Sequence, residues 1–405
     1  MKKIVETEML YGAQNYAPLP VILTRGEGVY VWDDAGNRYL DMMSAYSAVS
    51  HGHCHPRLVK VLAEQASVLA IVSRAFYTDK LGAFLQKACE VTGYDKALPM
   101  NTGAEAVETA IKAARKWAYS VKGVTPEKAE IIACRGNFHG RTTTIVGMSS
   151  EPQYREGFGP FSPGFKIIPY GDAKALEAAI TPNTAAFLVE PIQGENGICV
   201  PPKGYLKASA ELCKKHNVLL ICDEIQTGMG RTGRLLASDH EGIKPDAVVL
   251  GKALGGGLLP VSLFLTSKEV MDVFTPGDHG STFGGYPLAA AVGLAAINVL
   301  FEDNLIARAA ELGDYLLQRL KAVKSPVIKE VRGMGLMIGV EISAPYSARG
   351  LCLKLLKLGV LSKDTHGTVI RLAPPLVITK EQLDTVIDAL TKVLLEAEQE
   401  AVNQA

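Results

Sequence analysis

Apolar and polar positions change period along this chain, and the changes predict its elements. Val218-Leu-Leu-Ile-Cys222 and Asp246-Ala-Val-Val-Leu250 are apolar runs of strand length without alternation. Such runs suit strands buried on both faces, as in a parallel sheet covered by helices. Asp95-Lys-Ala-Leu-Pro-Met100, Glu130-Ile-Ile-Ala-Cys134 and Ala185-Ala-Phe-Leu-Val189 read the same way. Between them the period lengthens. Val107, Ala110, Ile111, Ala114, Trp117 and Ala118 recur at helical spacing and predict a helix to about Lys122. Further helices are expected over 56–70 and 287–301. Gly28–Trp32 and Arg38–Asp41 flank the turn Asp33-Asp34-Ala35-Gly36-Asn37, a hairpin signal. Beyond residue 305 helices alternate with strands over 329–332, 337–341 and 369–372, and the polar tail after Leu395 is expected to fray.

The pattern predicts an α/β protein. A large domain would hold a mostly parallel central sheet covered by helices, and a smaller α+β domain would be built from both chain ends. The expected divisions are an N-terminal arm and hairpin at 1–45 belonging to the small domain, a large domain at 46–295, and a C-terminal small domain at 296–405. Composition narrows the partners. Across 405 residues, 42 basic side chains balance 42 acidic ones, so nothing argues for nucleic acid or an anionic membrane surface. No apolar run reaches the ~18 residues of a membrane span. The start, Met-Lys-Lys-Ile-Val-Glu-Thr-Glu, has neither a signal-peptide core nor an arginine-rich transit pattern. Seven cysteines scattered through apolar stretches read as reduced thiols. A cytoplasmic location is expected; a mature mitochondrial form would read the same.

Candidate chemistry collects at the predicted strand ends, where open α/β sheets bind ligands. One run ends on Asp223-Glu-Ile-Gln226 and the other on Gly251-Lys252, so a carboxylate and an amine would face one crevice. A lysine amine can form a Schiff base with an aldehyde, and a carboxylate can keep a pyridinium nitrogen protonated. The competing reading makes Lys252 a loop lysine and Asp223 a turn residue. The junction Asn101-Thr102-Gly103-Ala104 opens the long helix, and its free N–H groups suit a phosphate, although an ordinary N-cap reads alike. Phe138 could cover one face of a planar ring, Arg141 has the fork geometry for a carboxylate, and Arg371 lies within an apolar strand.

Two other motifs compete. Gly228-Met-Gly230-Arg-Thr-Gly233 matches the dinucleotide pattern, but the segment before Gly242 and Pro245 is too short for the helix that fingerprint requires. His51-Gly-His53-Cys54-His55 supplies metal-ligating atoms without zinc-knuckle spacing or a second cluster, so no metal is expected.

From about Tyr11 to Thr379 the chain resembles the fold-type I, pyridoxal-phosphate-dependent aminotransferases of class III, and among them the ornithine δ-aminotransferases. The motifs include Tyr-Gly-Ala-Gln-Asn-Tyr (11–16), Ser-Ala-Tyr-Ser-Ala (44–48), Gly-His-Cys-His-Pro (52–56) and Met-Asn-Thr-Gly-Ala-Glu-Ala (100–106). Val-Glu-Pro-Ile-Gln-Gly-Glu (189–195), Asp-Glu-Ile-Gln-Thr-Gly (223–228), Leu-Gly-Lys-Ala-Leu (250–254), His-Gly-Ser-Thr (279–282) and Arg-Leu-Ala-Pro-Pro-Leu (371–376) follow in order.

The resemblance implies pyridoxal 5'-phosphate as cofactor, with Lys252 as Schiff-base lysine and proton shuttle and Asp223 on the pyridinium nitrogen. Gln226 would contact the ring hydroxyl, and Phe138 and Ile225 would sandwich the ring. Thr102, Gly103 and Ala104 would form the phosphate cup, while Ser281 and Thr282 reach the phosphate of the other subunit of a homodimer. His139, beside the ring, takes a position that varies among relatives and does not separate ornithine from N-acetylornithine enzymes. The implied reaction moves the δ-amino group of L-ornithine to 2-oxoglutarate. Arg141 would take the ornithine carboxylate, with Tyr16 and Tyr46 around the α-amino end. Arg371 would take a 2-oxoglutarate carboxylate, and Glu195 would cover Arg371 during the first half-reaction. N-acetylornithine and 4-aminobutyrate transaminases are the nearest alternatives. A dinucleotide-dependent oxidoreductase is a distant one.

Overall fold

The unalternating apolar runs pair with one another in the computed structural model, which describes residues 2–404. Along the chain, β1 (Leu23–Glu27), β2 (Tyr30–Asp33) and β3 (Arg38–Asp41) form an antiparallel ladder. Then come β4 (Lys96–Met100), β5 (Glu130–Cys134), β6 (Phe165–Ile168), β7 (Thr184–Val189), β8 (Leu219–Asp223), β9 (Ala247–Leu250) and β10 (Ser262–Thr266). Among the described residues these seven make one sheet in the order β4-β10-β9-β8-β7-β5-β6. The β9-β8-β7-β5-β6 pairings are parallel, whereas β10 runs antiparallel to both β9 and β4. Every residue of β7, β8, β9 and β10 is buried, which is why their sequences carry no alternation.

The C-terminal part adds β11 (Ile328–Met334), β12 (Met337–Ile342), β13 (Val360–Leu361), β14 (Lys363–Thr365) and β15 (Val369–Leu372). Strands β11-β12-β15-β14 form an antiparallel sheet, and β13 joins β3 in parallel, so both chain ends meet in the smaller layer. The predicted hairpin turn is held by Asp33 Oδ1, which accepts the N–H groups of Ala35 at 3.0 Å and Asn37 at 2.8 Å.

Some elements differ from the expectation. A helix, Lys2–Tyr11, lies within the N-terminal arm. The tail does not fray at Leu395 but continues as the helix Lys380–Gln404. Leu383, Val386, Ile387, Leu390, Val393 and Leu394 recur at helical spacing and are buried, so packing holds the helix up to the polar tail, and within the tail Ala397 continues the same buried face. The dinucleotide-like run is followed only by the short turn Ala237–Glu241, and its Arg231 is fully buried. Among the described residues no single helix is long and apolar enough to cross a membrane.

Candidate active site

Asp223 closes β8, and Lys252 follows β9 after one glycine; in the parallel β8-β9 pairing Asp223 lies opposite Val249. Adjacent strand ends therefore aim both side chains into one cavity of about 180 Å³, on the order of six water volumes. Gly103, Ala104, Phe138, His139, Glu190, Glu195, Ile225 and Gln226 also border it. A larger groove of about 640 Å³ between Leu85 and Met271 is open to solvent and meets the sheet only at the amino end of β4, away from the carboxyl ends of the parallel strands.

Lys252 stands at φ 46°, a left-handed conformation that side-chain-bearing residues rarely adopt and that marks functional sites. Burial lowers its amine pKa and the Arg371 charge adds to this, against the opposing pull of Glu195, Asp223 and Glu190. Asp223 Oδ2 lies 2.7 Å from His139 Nδ1, and its Oδ1 accepts the Ile225 N–H at 3.1 Å. Burial alone would lower the His139 pKa; the hydrogen bond to Asp223 and its charge outweigh this and raise it. Glu190, also buried, accepts the Phe138 N–H at 2.9 Å. Burial pushes its carboxyl up to about 7, helped by the Asp223 charge and opposed by His139.

The helix Gly103–Trp117 begins with a capping box, in which Thr102 Oγ1 accepts the Glu105 N–H and Glu105 accepts the Thr102 N–H. That box leaves the N–H groups of Gly103 and Ala104 without partners among the described residues, at the border of the cavity. A Cβ on Gly103 would lie 2.9 Å from Ile225 Cδ1, so glycine allows the helix end to close on Ile225. Gln226 Nε2 donates to Glu195 Oε1 at 3.2 Å, while its buried Oε1 has no partner. A Cβ on Gly194 would sit 1.4 Å from that oxygen, so a glycine there is a condition for its placement.

Behind Glu195 and Phe138, and reached through them, the groups become cationic and aromatic. Arg371 is 2% exposed and donates from Nη1 to Glu195 Oε1 at 2.8 Å. Burial would raise the Glu195 pKa, but Arg371 and then Lys252 more than offset it, and the net shift is downward. Arg371 Cζ also lies 5.0 Å from the centroid of the Tyr46 ring. Arg141 has no carboxylate in ion-pair reach among the described residues; its guanidinium stacks 4.2 Å from Tyr154 and 5.6 Å from Phe138. Phe138 and Tyr154 meet edge to face.

Not every expected residue reaches the cavity. Tyr16 is 71% exposed and does not border it. Ser281 accepts the Asn101 Nδ2 hydrogen bond at 2.8 Å beside the capping box, and Thr282 is exposed. The histidines of 51–55 point to separate partners: His51 Nε2 to Ala296 O, His53 to Asp41, and His55 to Asp303. Tyr154 and Lys363 went unrecognised in the sequence as site residues, and Glu190 figured only as part of the 189–195 motif. Tyr154 sits on the four-residue helix Pro152–Arg155, too short to show a period.

The donor set fits pyridoxal phosphate on its own terms. It offers a buried amine, a carboxylate oriented by a histidine, an orphaned amide oxygen for a phenolic hydroxyl, and two free N–H groups at a helix start. Comparison with known proteins agrees. The family model Aminotransferase class-III matches residues 11–394. An ornithine aminotransferase of Brevibacillus brevis is 56% identical over 96% of this chain and 98% of its own. The solved ornithine aminotransferase of Toxoplasma gondii ME49 superposes with a TM-score of 0.97 at 47% identity, covering 98% of this chain and 96% of its own. An acetylornithine aminotransferase from Elizabethkingia anophelis reaches 0.89 at 50% identity, covering 98% and 99%. With the family match running nearly from end to end and the cavity furnished for pyridoxal phosphate, this chain belongs to the class-III aminotransferases.

Proposed function

We propose that the protein is an ornithine aminotransferase, passing the δ-amino group of L-ornithine to 2-oxoglutarate to give glutamate-5-semialdehyde and glutamate by a ping-pong sequence. The observation that carries the substrate assignment is the Glu195–Arg371 pair at 2.8 Å, close enough to Lys252 to act on its amine, together with an Arg141 that has no carboxylate partner among the described residues. A substrate that presents a distal amine needs its α-carboxylate held away from the reacting carbon, and Arg141 suits that carboxylate. With Glu195 on Arg371, the guanidinium nearest Lys252 is not offered to the α-carboxylate of an ordinary amino acid. A dicarboxylate must displace Glu195 to use it. An arginine buried this deeply is costly when unpaired, so the exchange of one carboxylate for another keeps it neutralised in both half-reactions.

Pyridoxal phosphate, when bound, supplies an electron sink for charge developing on the carbon that bears the transferred amine. Lys252 Nζ takes the proton from that carbon and returns it, and its lowered pKa brings a base of this type closer to neutral pH. Asp223, held by His139 and the Ile225 N–H, keeps a ring nitrogen protonated. Gln226 Oε1 would accept from the ring hydroxyl, Phe138 and Ile225 would cover the two faces, and the Gly103 and Ala104 N–H groups would take the phosphate.

The reading extends to a homodimer in which Ser281 and Thr282 reach the partner's phosphate. Its support is the exposed apolar group Phe76, Tyr77 and Phe283. The 70–77 and 281–288 segments that carry it lie together, joined by the Leu288 N–H to Ala70 O hydrogen bond. Cytoplasmic residence is supported by seven cysteines that form no disulfide.

The decisive experiment is an absorption spectrum of the purified protein, followed by addition of amine. A visible band that shifts to the amine form with ornithine, and more slowly with N-acetylornithine or 4-aminobutyrate, is expected. Recovery of the band on adding 2-oxoglutarate completes the cycle. Faster conversion by N-acetylornithine would overturn the ornithine assignment.

A further inference from the structure

We infer that Lys363 determines specificity for the dicarboxylate substrate by setting the hydrogen-bonding role of Tyr46. The inference rests on the dicarboxylate half of the function proposed above. In the antiparallel β14-β15 pairing Lys363 lies directly opposite Arg371. Residues directly opposed across a ladder project from the same face, so two cations stand side by side. Only Arg371 has a carboxylate partner among the described residues. Lys363 Nζ donates instead to the Tyr46 hydroxyl at 2.9 Å and lies 5.6 Å from the centroid of that ring. The Tyr46 ring therefore touches both cations.

Tyr46 is held there by an unusual backbone. Ser44, Ala45, Tyr46 and Ser47 take φ values of 41°, 46°, 58° and 74°, four successive left-handed residues without a glycine. A run of this kind persists only where its surroundings impose it. Asp41 Oδ1 accepts the N–H groups of Met43 at 2.8 Å and Ser44 at 3.0 Å. Ser44 Oγ donates to Ala373 O at 2.6 Å, two residues beyond Arg371. The buried Arg231 guanidinium donates to Ser44 Oγ at 3.2 Å and to Ser50 Oγ at 2.8 Å. The ring is consequently fixed relative to the strand that carries Arg371.

A phenol oxygen that accepts from an ammonium group has its own proton left to give. With Lys363 bound to that oxygen and no carboxylate covering it among the described residues, a further cation there meets a like charge, whereas Arg371 beneath the ring is covered by Glu195. Tyr46 thus presents a donor in a cationic setting, which suits a carboxylate oxygen and not an ammonium group. The family resemblance placed Tyr46 at the α-amino end of ornithine; its wiring here assigns it to a carboxylate of 2-oxoglutarate. Lys363 is a positioning residue in this scheme, since it acts through the tyrosine.

Two-substrate kinetics on Lys363→Met, Lys363→Arg, Tyr46→Phe and the Lys363→Met/Tyr46→Phe pair test this, with glutarate as a non-reacting competitor of 2-oxoglutarate. Lys363→Met should raise KM for 2-oxoglutarate and Ki for glutarate by about tenfold, the size of one modest polar interaction. KM for ornithine should hold or fall, because a cation has left the site. Lys363→Arg should restore most of the loss, and the double variant should be no worse than Tyr46→Phe alone. Should Lys363→Met fail to fold, Lys363→Gln carries the same expectation. Equal increases in KM for both substrates, or no change in either, would overturn the inference. A wild-type enzyme that neither uses 2-oxoglutarate nor binds glutarate overturns the dicarboxylate reading itself, and this inference with it.

Discussion

At the inner end of the cavity Lys252, Asp223, Gln226 and the Gly103 turn all issue from strands of one sheet or the residues directly after them. At the outer end Arg141, Tyr154, Tyr46, Lys363 and Arg371 come from separate segments, two of them on the small antiparallel sheet. Strands β8 and β9, which place Asp223, Gln226 and Lys252, are hydrogen-bonded on both sides and buried on both faces, whereas the Gly103 turn follows the edge strand β4. The outer groups are placed by one another, through an ion pair, stacked guanidinium groups and a strained turn. Chemistry that must not vary between substrates sits on the rigid end. Discrimination between substrates sits where side chains can exchange partners.

The sharpest way to test that division is Lys252→Ala. If the inner end carries the chemistry, kcat should fall about 10⁴-fold, the upper range for loss of a positioned base. Substrate binding should persist because the outer groups are untouched. Rapid-mixing measurement of a single ornithine turnover reads both. A loss confined to KM would contradict the division.

The same contrast explains what the sequence could reveal. Asp223 and Lys252 were legible because an apolar run of buried strand announces its own end, and whatever polar residue follows is at the crevice. The capping box at Thr102 and Glu105 was legible as a helix start for the same local reason. Lys363 was not, because its importance lies in facing Arg371 across a ladder whose strand β14 is three residues long. No local period marks such a strand, and register between strands is a tertiary fact. Arg231 was hidden inside a motif that invites a dinucleotide reading. Its burial follows from where the 228–233 loop meets β12 and the Ser44 turn, through Leu336 O and Ser44 Oγ.

Glu190 lies behind the inner end and tests how dry that end is. An ordinary carboxyl titrates near 4.5, and burial moves this one to about 7. Between those values the unfolded chain has released the proton and the folded chain retains it, so stability falls as pH rises from about 4.5 to 7. The full linkage is about 3 kcal/mol. Glu190→Gln keeps an acceptor for the Phe138 N–H but cannot ionise. Its unfolding midpoint should gain on the wild type as pH is raised from 5 to 8, as thermal melts would show. A difference that stays constant across that range would mean the inner end is wetter than its burial indicates.

Arg231 ties the outer end together, since it reaches Leu336 O and Pro374 O on one side and Ser44 Oγ and Ser50 Oγ on the other. Arg231→Met relieves a buried charge but strands two carbonyl oxygens and frees the strained turn. Each stranded acceptor costs about 1–3 kcal/mol, so a net loss of about 2 kcal/mol is expected in urea unfolding. Substrate discrimination should degrade before kcat does, because the turn carries Tyr46. Loss of kcat with discrimination intact would place Arg231 with the inner end instead.

Glu195 is the group on which the outer end turns. It is ionised at neutral pH because Arg371 and Lys252 hold its pKa below the ordinary carboxylate range against the effect of burial. Glu195→Gln keeps the shape and the contact with Gln226 but removes the charge that covers Arg371. The guanidinium is then offered to any α-carboxylate, and α-amino transfer from glutamate-like amino acids should rise relative to δ-transfer from ornithine by about tenfold. The ratio of the two rates, measured with both amines in competition, isolates the effect from general damage to the site. In the wild type that ratio should stay flat across neutral pH and drift toward the variant's value only in acid, where Glu195 takes up a proton. An unchanged ratio in Glu195→Gln would mean that Arg371 is withheld from α-carboxylates by something other than its ion pair. The nearest alternative would then be the Tyr46 ring stacked on it at 5.0 Å.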